Sequence, residues 1–130
     1  IKISASIEEQ ISQMDKEDQK IFLNEYGLKE SGLNKLIKAS YSLLGLITFF
    51  TAGPKEVKAW TIKEGLKAPQ GAGKIHSDFE RGFIKAEVIK YDDYIKYKSE
   101  LNCKENGKIN LEGKDYVIDD GDIIHFKFNV

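Results

Sequence analysis

The sequence predicts an α+β fold, and three observations carry that reading. Up to Leu44 the apolar residues recur at helical spacing, and after Gly45 they alternate with polar ones, the period of a half-buried strand. Between Phe49 and Val88 the chain reads as strand, Gly53-Pro54 turn, strand, short helix and third strand. The last stretch alternates again, with Ile124, Phe126, Phe128 and Val130 on one face and Ile123, His125, Lys127 and Asn129 on the other. A hairpin, a helix, a returning strand and further strands follow one another in β-grasp order.

At the start, Ile1-Lys2-Ile3 reads as a minimal strand ending in Ser4-Ala5-Ser6. Ser6 and Glu9 make a capping box, in which hydroxyl and carboxylate satisfy orphan N–H groups at the start of a helix through Ile7, Ile11 and Met14. Asp15 with Asp18 offers a second cap. Ile21, Phe22, Leu23 and Tyr26 supply a stripe expected to be buried before Gly27 ends that helix. Ser31 caps a third helix whose stripe is Leu33, Leu36, Ile37, Ser40, Tyr41 and Leu44, with Gly45 at its C-terminal stop. The change of period there is read as the domain boundary. Residues 1–24 form one segment, 25–45 a linking helix, and 46–130 the strand-rich domain.

Within that domain, Phe49-Phe50-Thr51 leads through Gly53-Pro54 into Glu56 to Ile62. Alternation puts Val57, Ala59 and Thr61 on one face and Trp60 and Ile62 on the other. Pro69 suits a helix start because its fixed φ is helical and its missing N–H is not needed there. The helix runs on through Ile75, His76 and Phe79 to Gly82, and Phe83 to Val88 is a strand. Ile89 to Tyr97 is read as a strand continuation or a crossover broken at Asp92-Asp93, and Ser99 to Gly107 as a short helix or loop. Lys108 to Leu111 and Asp115 to Ile118 are read as a hairpin about a Glu112-Gly113 turn. Asp119-Asp120-Gly121-Asp122 is a turn before the last strand.

Composition bounds the function. A chain of 130 residues buries one modest core, or a small domain with a helical extension. Its 32% charged and 41% hydrophobic residues are an ordinary globular balance, and no apolar run approaches the ~20 residues of a membrane span. The first residue is not Met, so the chain is read as an internal or C-terminal piece of a longer protein. The single cysteine, Cys103, fits a reducing compartment and reads as a partly buried thiol without chemistry. The net charge of −1 excludes a strongly basic nucleic-acid binder, but charge is unevenly placed. Five lysines (55, 58, 63, 67 and 74) face two glutamates between Lys55 and Lys74, and five acids face two lysines between Glu112 and Lys127. A module with one positive and one negative face is suited to an RNA-rich surface, with Lys58, Lys63 and Lys67 as docking candidates.

Other candidate chemistry recedes on inspection. Gly71-Ala72-Gly73-Lys74 imitates a phosphate loop, yet Ala68 stands where its first glycine belongs and Ile75 where its hydroxyl residue belongs. Asp115, Asp119, Asp120 and Asp122 lack the spacing of a calcium loop and read as turn formers. His76 and His125 have no Cys or Glu partner at metal-ligand spacing, so no metal site is expected. No nucleophile–base arrangement appears, and no catalytic residue is assigned. Trp60, Phe83 and Tyr91 would stack on bases if exposed, but aromatics in alternating strands are chiefly core.

The run Phe50-Thr51-Ala52-Gly53-Pro54-Lys55-Glu56-Val57-Lys58-Ala59-Trp60-Thr61-Ile62, with Ile75-His76-Ser77-Asp78-Phe79-Glu80 and Asp120-Gly121-Asp122-Ile123-Ile124-His125-Phe126, closely resembles the C-terminal TGS domain of the YchF-type GTPase/ATPase family. This is a branch of the Obg-related P-loop NTPases, and the resemblance runs over nearly the whole chain. It implies a ubiquitin-like β-grasp domain preceded by a helical segment from the end of a G domain. It also implies a cytoplasmic docking and regulatory module of a ribosome-associated, nucleotide-binding protein, contacting ribosomal RNA or protein and its own G domain, with no membrane. In P-loop GTPases a Ser-Ala-x turn lets backbone amides approach the base, so Ser4, Ala5 and Ser6 are the implied partial nucleotide contact, through backbone alone. ATP or GTP with Mg²⁺ belongs by this resemblance to the full-length protein, not to this chain, for which no hydrolysis is expected. Two other readings stay open: a β-grasp domain that binds a regulatory, nucleotide-type ligand, and a stand-alone enzyme.

Overall fold

Side-chain oxygens fix the helix starts of the N-terminal segment. In a computed structural model that describes residues 1–129, Ile1–Leu44 form one unit and a second begins at Gly45. The first unit holds α1 (Ala5–Ser12), α2 (Lys16–Glu25) and α3 (Gly32–Leu43). Asp15 Oδ1 accepts the Asp18 N–H at 2.9 Å, and Ser31 Oγ the Asn34 N–H at 3.2 Å, as the sequence predicts. The cap of α1 differs: Ser4, not Ser6, is the N-cap, its Oγ accepting from the Ile7 N–H at 3.5 Å. With the helix starting there, Glu8 lies in its first turn, where its carboxylate accepts the Gly32 N–H (2.6 Å) and the Leu33 N–H (3.3 Å) and clasps α1 to the start of α3. Leu28 N–H to Leu23 O and Gly27 N–H to Asn24 O close α2 in a Schellman pattern.

Two expectations for this unit fail. Ile1-Lys2-Ile3 is not a strand; the described elements of the unit are all helices, and a strand needs a ladder partner. The stripe on α2 is not buried: Phe22 and Leu23 are half-buried, and Ile21 and Tyr26 are exposed. Helical periodicity records which residues share a face, not whether three short helices suffice to cover it.

The second unit is a five-stranded mixed sheet in the order β2-β1-β5-β3-β4. β1 (Leu46–Ala52) and β2 (Val57–Lys63) form an antiparallel hairpin with Phe49 opposite Trp60. β5 (Ile123–Phe128) enters beside β1 in parallel, and β3 (Phe83–Ile89) runs antiparallel to β5. The predicted hairpin about Glu112-Gly113 does not form. β4 (Asn110–Glu112) pairs with β3 instead, and beyond it Val117 makes a single bridge to Lys67. The reason is packing: the side chain of Ile118 is buried against Gly71, and the backbone of this segment bonds to Leu66 and Ala68 in place of β4, with Ile118 N–H to Leu66 O at 3.0 Å and Ala68 N–H to Tyr116 O at 2.8 Å.

Between β2 and β3 lie α4 (Ala68–Ile75) and α5 (Ser77–Arg81), where the sequence predicted one continuous helix. His76 breaks it with extended backbone, and its Nδ1 accepts the Asp78 N–H at 3.0 Å to cap α5. After β3 the chain forms α6 (Tyr91–Tyr97) and α7 (Glu100–Glu105). Asp92 and Asp93, read as breakers, lie in the first turn of α6, where carboxylates favour the positive end of the helix dipole.

Each sheet face carries its own core. Under α4 and α5 lie Phe49, Ile62, Phe83, Val88, Ile118, Ile124 and Phe126; under α6 and α7 lie Ile89, Cys103 and Ile123. The Phe126 ring meets Phe49 edge-on at 5.9 Å and 89°, and Phe83 at 6.4 Å. Phe128 shares the strand face of Ile124 and Phe126 but is not core: at 42% exposure it lies on the rim, stacked on Phe79 at 4.0 Å. Val130, the last of the predicted inward series, lies outside the described residues. Phe126→Ala should therefore destabilise the chain by about 3–5 kcal/mol and Phe128→Ala by markedly less, read from urea midpoints. Equal losses would contradict this placement.

Candidate functional site

The three lysines singled out in the sequence lie on and just after the edge strand β2. Successive residues of a strand point to opposite faces, so Lys58 shares the α4 face with Trp60 and Ile62, while Lys63 projects from the other. The Lys58 Nζ sits 4.2 Å from the centre of the Trp60 ring, and Trp60 Nε1 donates to Thr51 Oγ1 at 3.0 Å. That bond holds the half-buried indole with its cation at the strand edge. Lys67 caps α4 through its backbone and reaches the exposed Asp115 carboxylate at 3.3 Å. The fold thus brings Lys58 and Trp60 together and leaves Lys63 and Lys67 as separate exposed charges. Phe83 is core, and Tyr91 is exposed beside Phe50.

The densest polar constellation was not foreseen. Lys90, immediately after β3, gives its three N–H donors to Asp119 Oδ2 (2.7 Å), Tyr116 OH (2.8 Å) and Asp122 Oδ1 (3.0 Å). Asp122 is buried, and its other oxygen accepts the Tyr116 hydroxyl at 2.6 Å and the Asp119 N–H at 3.0 Å. Burial alone would lower the lysine pKa; hydrogen bonds to Asp119, Tyr116 and Asp122, with the charge of Asp122, outweigh it and raise the ammonium above its ordinary value. Burial, then the bond to Asp122, pushes the Tyr116 phenol up to about 12. The acids read as turn formers do form the turn, but Asp120 and Asp122 also bond beyond it: Asp120 Oδ1 accepts the Thr48 N–H at 2.9 Å. Gly121 sits at φ +86° with its Cα against Tyr91, a position that suits glycine. A single lysine after an apolar strand carries no local signal of such a hub.

Around this hub lies an open cleft of about 570 Å³, lined by Thr48, Phe50, Lys90, Tyr91 and the four acids Asp92, Asp119, Asp120 and Asp122. The false phosphate loop lies elsewhere, inside α4. Gly71 is there because Ile118 occupies the space a Cβ would take, so the glycine serves packing. In the first unit Ser4 is spent on its cap, and Ala5 and Ser6 open α1 with their N–H groups at its N-terminus. His125 was expected to lack a carboxylate partner. Strand pairing sets it opposite Glu87, and α7 brings Glu100 beside both, a proximity that sequence spacing could not reveal.

Residues 46–129 match the model of the YchF-GTPase_C family, described as a protein of unknown function (DUF933). The chain belongs to the YchF family. Along its whole length it is 58% identical to the ribosome-binding ATPase YchF of Bacillus subtilis and 53% identical to that of Escherichia coli O157:H7. It spans 36% of the length of each, about a third. The solved structure of the Schizosaccharomyces pombe YchF GTPase superimposes with a TM-score of 0.79 at 41% identity, over 96% of this chain and 33% of that one. The mixed α/β architecture is therefore that of the YchF structure, and no described helix is long and apolar enough to cross a membrane.

In this YchF-family chain the Lys90–Asp122 hub has a testable energetic role. Asp122→Ala strips an acceptor from three donors at once and should destabilise the fold by about 3 kcal/mol. Lys90 and Tyr116 hold their protons more tightly folded than unfolded. Their contribution is complete below about pH 10 and declines as pH rises, for Tyr116 through about pH 12. The gap between wild type and Asp122→Ala in urea unfolding should consequently narrow above about pH 10. A constant gap would mean that neither group titrates with folding.

Proposed function

We propose that the chain is the C-terminal docking and regulatory module of a ribosome-associated, nucleotide-binding P-loop ATPase/GTPase of the cytoplasm. The observation that carries this reading is the alignment of the whole chain with relatives named ribosome-binding ATPases, combined with its span of about a third of their length. The strand order β2-β1-β5-β3-β4, with β1 and β5 parallel and α4 between β2 and β3, supports a TGS-type β-grasp domain over residues 46–130. Residues 1–24 then end a G domain, and the helix within 25–45 links the two. ATP or GTP with Mg²⁺ would be held and hydrolysed by the rest of the full-length protein. Ser4, Ala5 and Ser6 would contribute at most backbone N–H contacts to the base. Calorimetry of this chain alone with Mg-ATP or Mg-GTP should show no micromolar binding; a saturable, Mg²⁺-dependent isotherm would contradict the assignment.

The docking surface in this reading is the β2 edge with Lys58, Lys63 and Lys67, facing ribosomal RNA. β2 is an edge strand, and Lys58 and Lys63 on it and Lys67 after it are all exposed to a partner. Lys58 over Trp60 offers a phosphate contact next to a stacking ring. The Lys67–Asp115 pair is exposed on both sides and worth little, so Lys67 can exchange it for a phosphate. The alternative of a nucleotide-type ligand in the Lys90 cleft is weaker, because the donors of Lys90 are all spent within the hub and four carboxylates would repel phosphate.

Replacing Lys58, Lys63 and Lys67 by Glu should weaken co-sedimentation with ribosomes and flatten its salt dependence, with little change in Tm. The same reversal at Lys96, Lys98 and Lys104 controls for net charge. Equal losses would mean nonspecific attraction, and no loss from the first triple would remove the β2 edge from the binding surface.

A further inference from the structure

We propose that Glu87, Glu100 and His125 form a binding site for a divalent cation of the zinc class. Each offers one ligand atom, and these atoms all lie within 4.8 Å of one another. They come from three elements. Glu87 on β3 and His125 on β5 are direct partners across the antiparallel ladder, and so project from the same sheet face. Glu100 is the first residue of α7, whose start is fixed by the Ser99 cap on the Asn102 N–H at 3.1 Å. Cys103, fully buried one turn later, packs the helix against Ile89 and Ile123 of the sheet, and its Sγ lies 3.7 Å from the Asp93 carbonyl of α6.

What distinguishes this cluster from the acidic loop is its lack of internal satisfaction. The carboxylates of Asp119, Asp120 and Asp122 are consumed by Lys90, Tyr116 and backbone N–H groups. Among the described residues, no hydrogen bond or ion pair engages the side chains of Glu87, Glu100 or His125. Two carboxylates held side by side without a cation repel each other, and a bound ion reverses that cost. Access comes from the surface: Glu100 and His125 are exposed, and Glu87 and Glu100 also border a cleft that carries Lys85, Lys104, Leu101 and Leu111, while the recess lined by all three residues is small, about 10 Å³. Neither Lys85 nor Lys104 makes an ion pair with these acids among the described residues.

The ligand set chooses the metal. One imidazole with two carboxylates neutralises a +2 ion. The nitrogen donor disfavours Ca²⁺ and Mg²⁺, which select oxygen, and the absence of a thiolate disfavours soft ions. The first-row divalent ions from Mn²⁺ to Zn²⁺ remain, and Zn²⁺ stands for that class. At the 2.0–2.2 Å typical of Zn–N and Zn–O bonds, three ligands that leave a position open describe an accessible site rather than a closed structural one.

The test uses the metal-free 130-residue chain titrated with Zn²⁺ by calorimetry and with Co²⁺ by visible absorption. One saturable site reversed by EDTA is expected. His125→Gln, Glu87→Gln and Glu100→Gln should each weaken it about tenfold or more, since even outer-shell partners of metal ligands give losses of that size. His76→Gln should leave it unchanged, which separates it from adventitious binding at the other histidine. Should a ligand variant fold poorly, broadening of wild-type backbone resonances by substoichiometric Mn²⁺ replaces it, expected first at residues 87, 100 and 125. No saturable binding, binding indifferent to His125→Gln, or broadening centred on the Asp119–Asp122 loop would each overturn the proposal.

Discussion

The parallel entry of β5 beside β1 rests on the loop Asp119–Asp122 more than on the strands themselves. Only Phe50 and Ile123 are paired directly between them, a short ladder for the centre of a five-stranded sheet. The loop supplies the rest from its backbone and its acids: Gly121 N–H to Thr48 O at 2.7 Å, Phe50 N–H to Asp122 O at 2.8 Å, and Thr48 N–H to Asp120 Oδ1 at 2.9 Å. Buried Asp122, bonded to half-buried Lys90 and Tyr116, then ties the same loop to the end of β3. The register of β5 decides which residues reach each core. A slip of one residue would turn Ile124 and Phe126 away from Phe49 and Val88. One satisfied ionic cluster thereby fixes both faces of the sheet, at the point where parallel pairing is least able to fix itself.

The parts of this fold that were legible in the sequence are those governed by local rules. The β1–β2 hairpin, the β3 strand and the alternation of β5 through Phe126 follow from period and turn chemistry, as do the Asp15 and Ser31 caps. The failures are of another kind. The Glu112-Gly113 turn is a good local signal that lost to a longer-range demand, the burial of Ile118 under Gly71 and the open edge of β3. The Ser6–Glu9 capping box gave way to a helix start two residues earlier at Ser4, which places Ser6 inside α1 and lets the neighbouring Glu8 reach the Gly32 N–H. In each case the sequence offered a valid local signal, and contacts made by nearby residues in the fold decided against it.

Site residues divide in the same way. Lysines at a strand edge are visible as a charge run, although which face each occupies depends on pairing. Lys90, Tyr116 and Asp122 are ordinary polar residues in sequence and become a network only when β3 and β5 are placed together. His125 and Glu87 are cross-strand partners for the same reason, and no spacing rule for metal ligands covers a pair joined by an antiparallel ladder. The Gly71–Lys74 run is the converse case, a pattern with apparent chemistry whose glycine answers to packing.

The division of labour between the two sheet faces follows from these placements. The α4 face is filled by aromatic and aliphatic side chains up to the β2 edge, where Trp60 carries the core out to Lys58. Rigid packing behind a half-buried ring and an exposed cation suits a stacking and phosphate contact, because the partner then orders few side chains of the module on binding. The opposite face has a smaller core around Ile89, Cys103 and Ile123, and beside it the side chains of Glu87, Glu100 and His125 make no hydrogen bond or ion pair among the described residues. A face with a thin core and open ligands is easier to reshape than one packed to the edge. Any regulation reaching this module through a small ion would therefore act on the α7 face, and the β2 edge would keep its geometry while it did so.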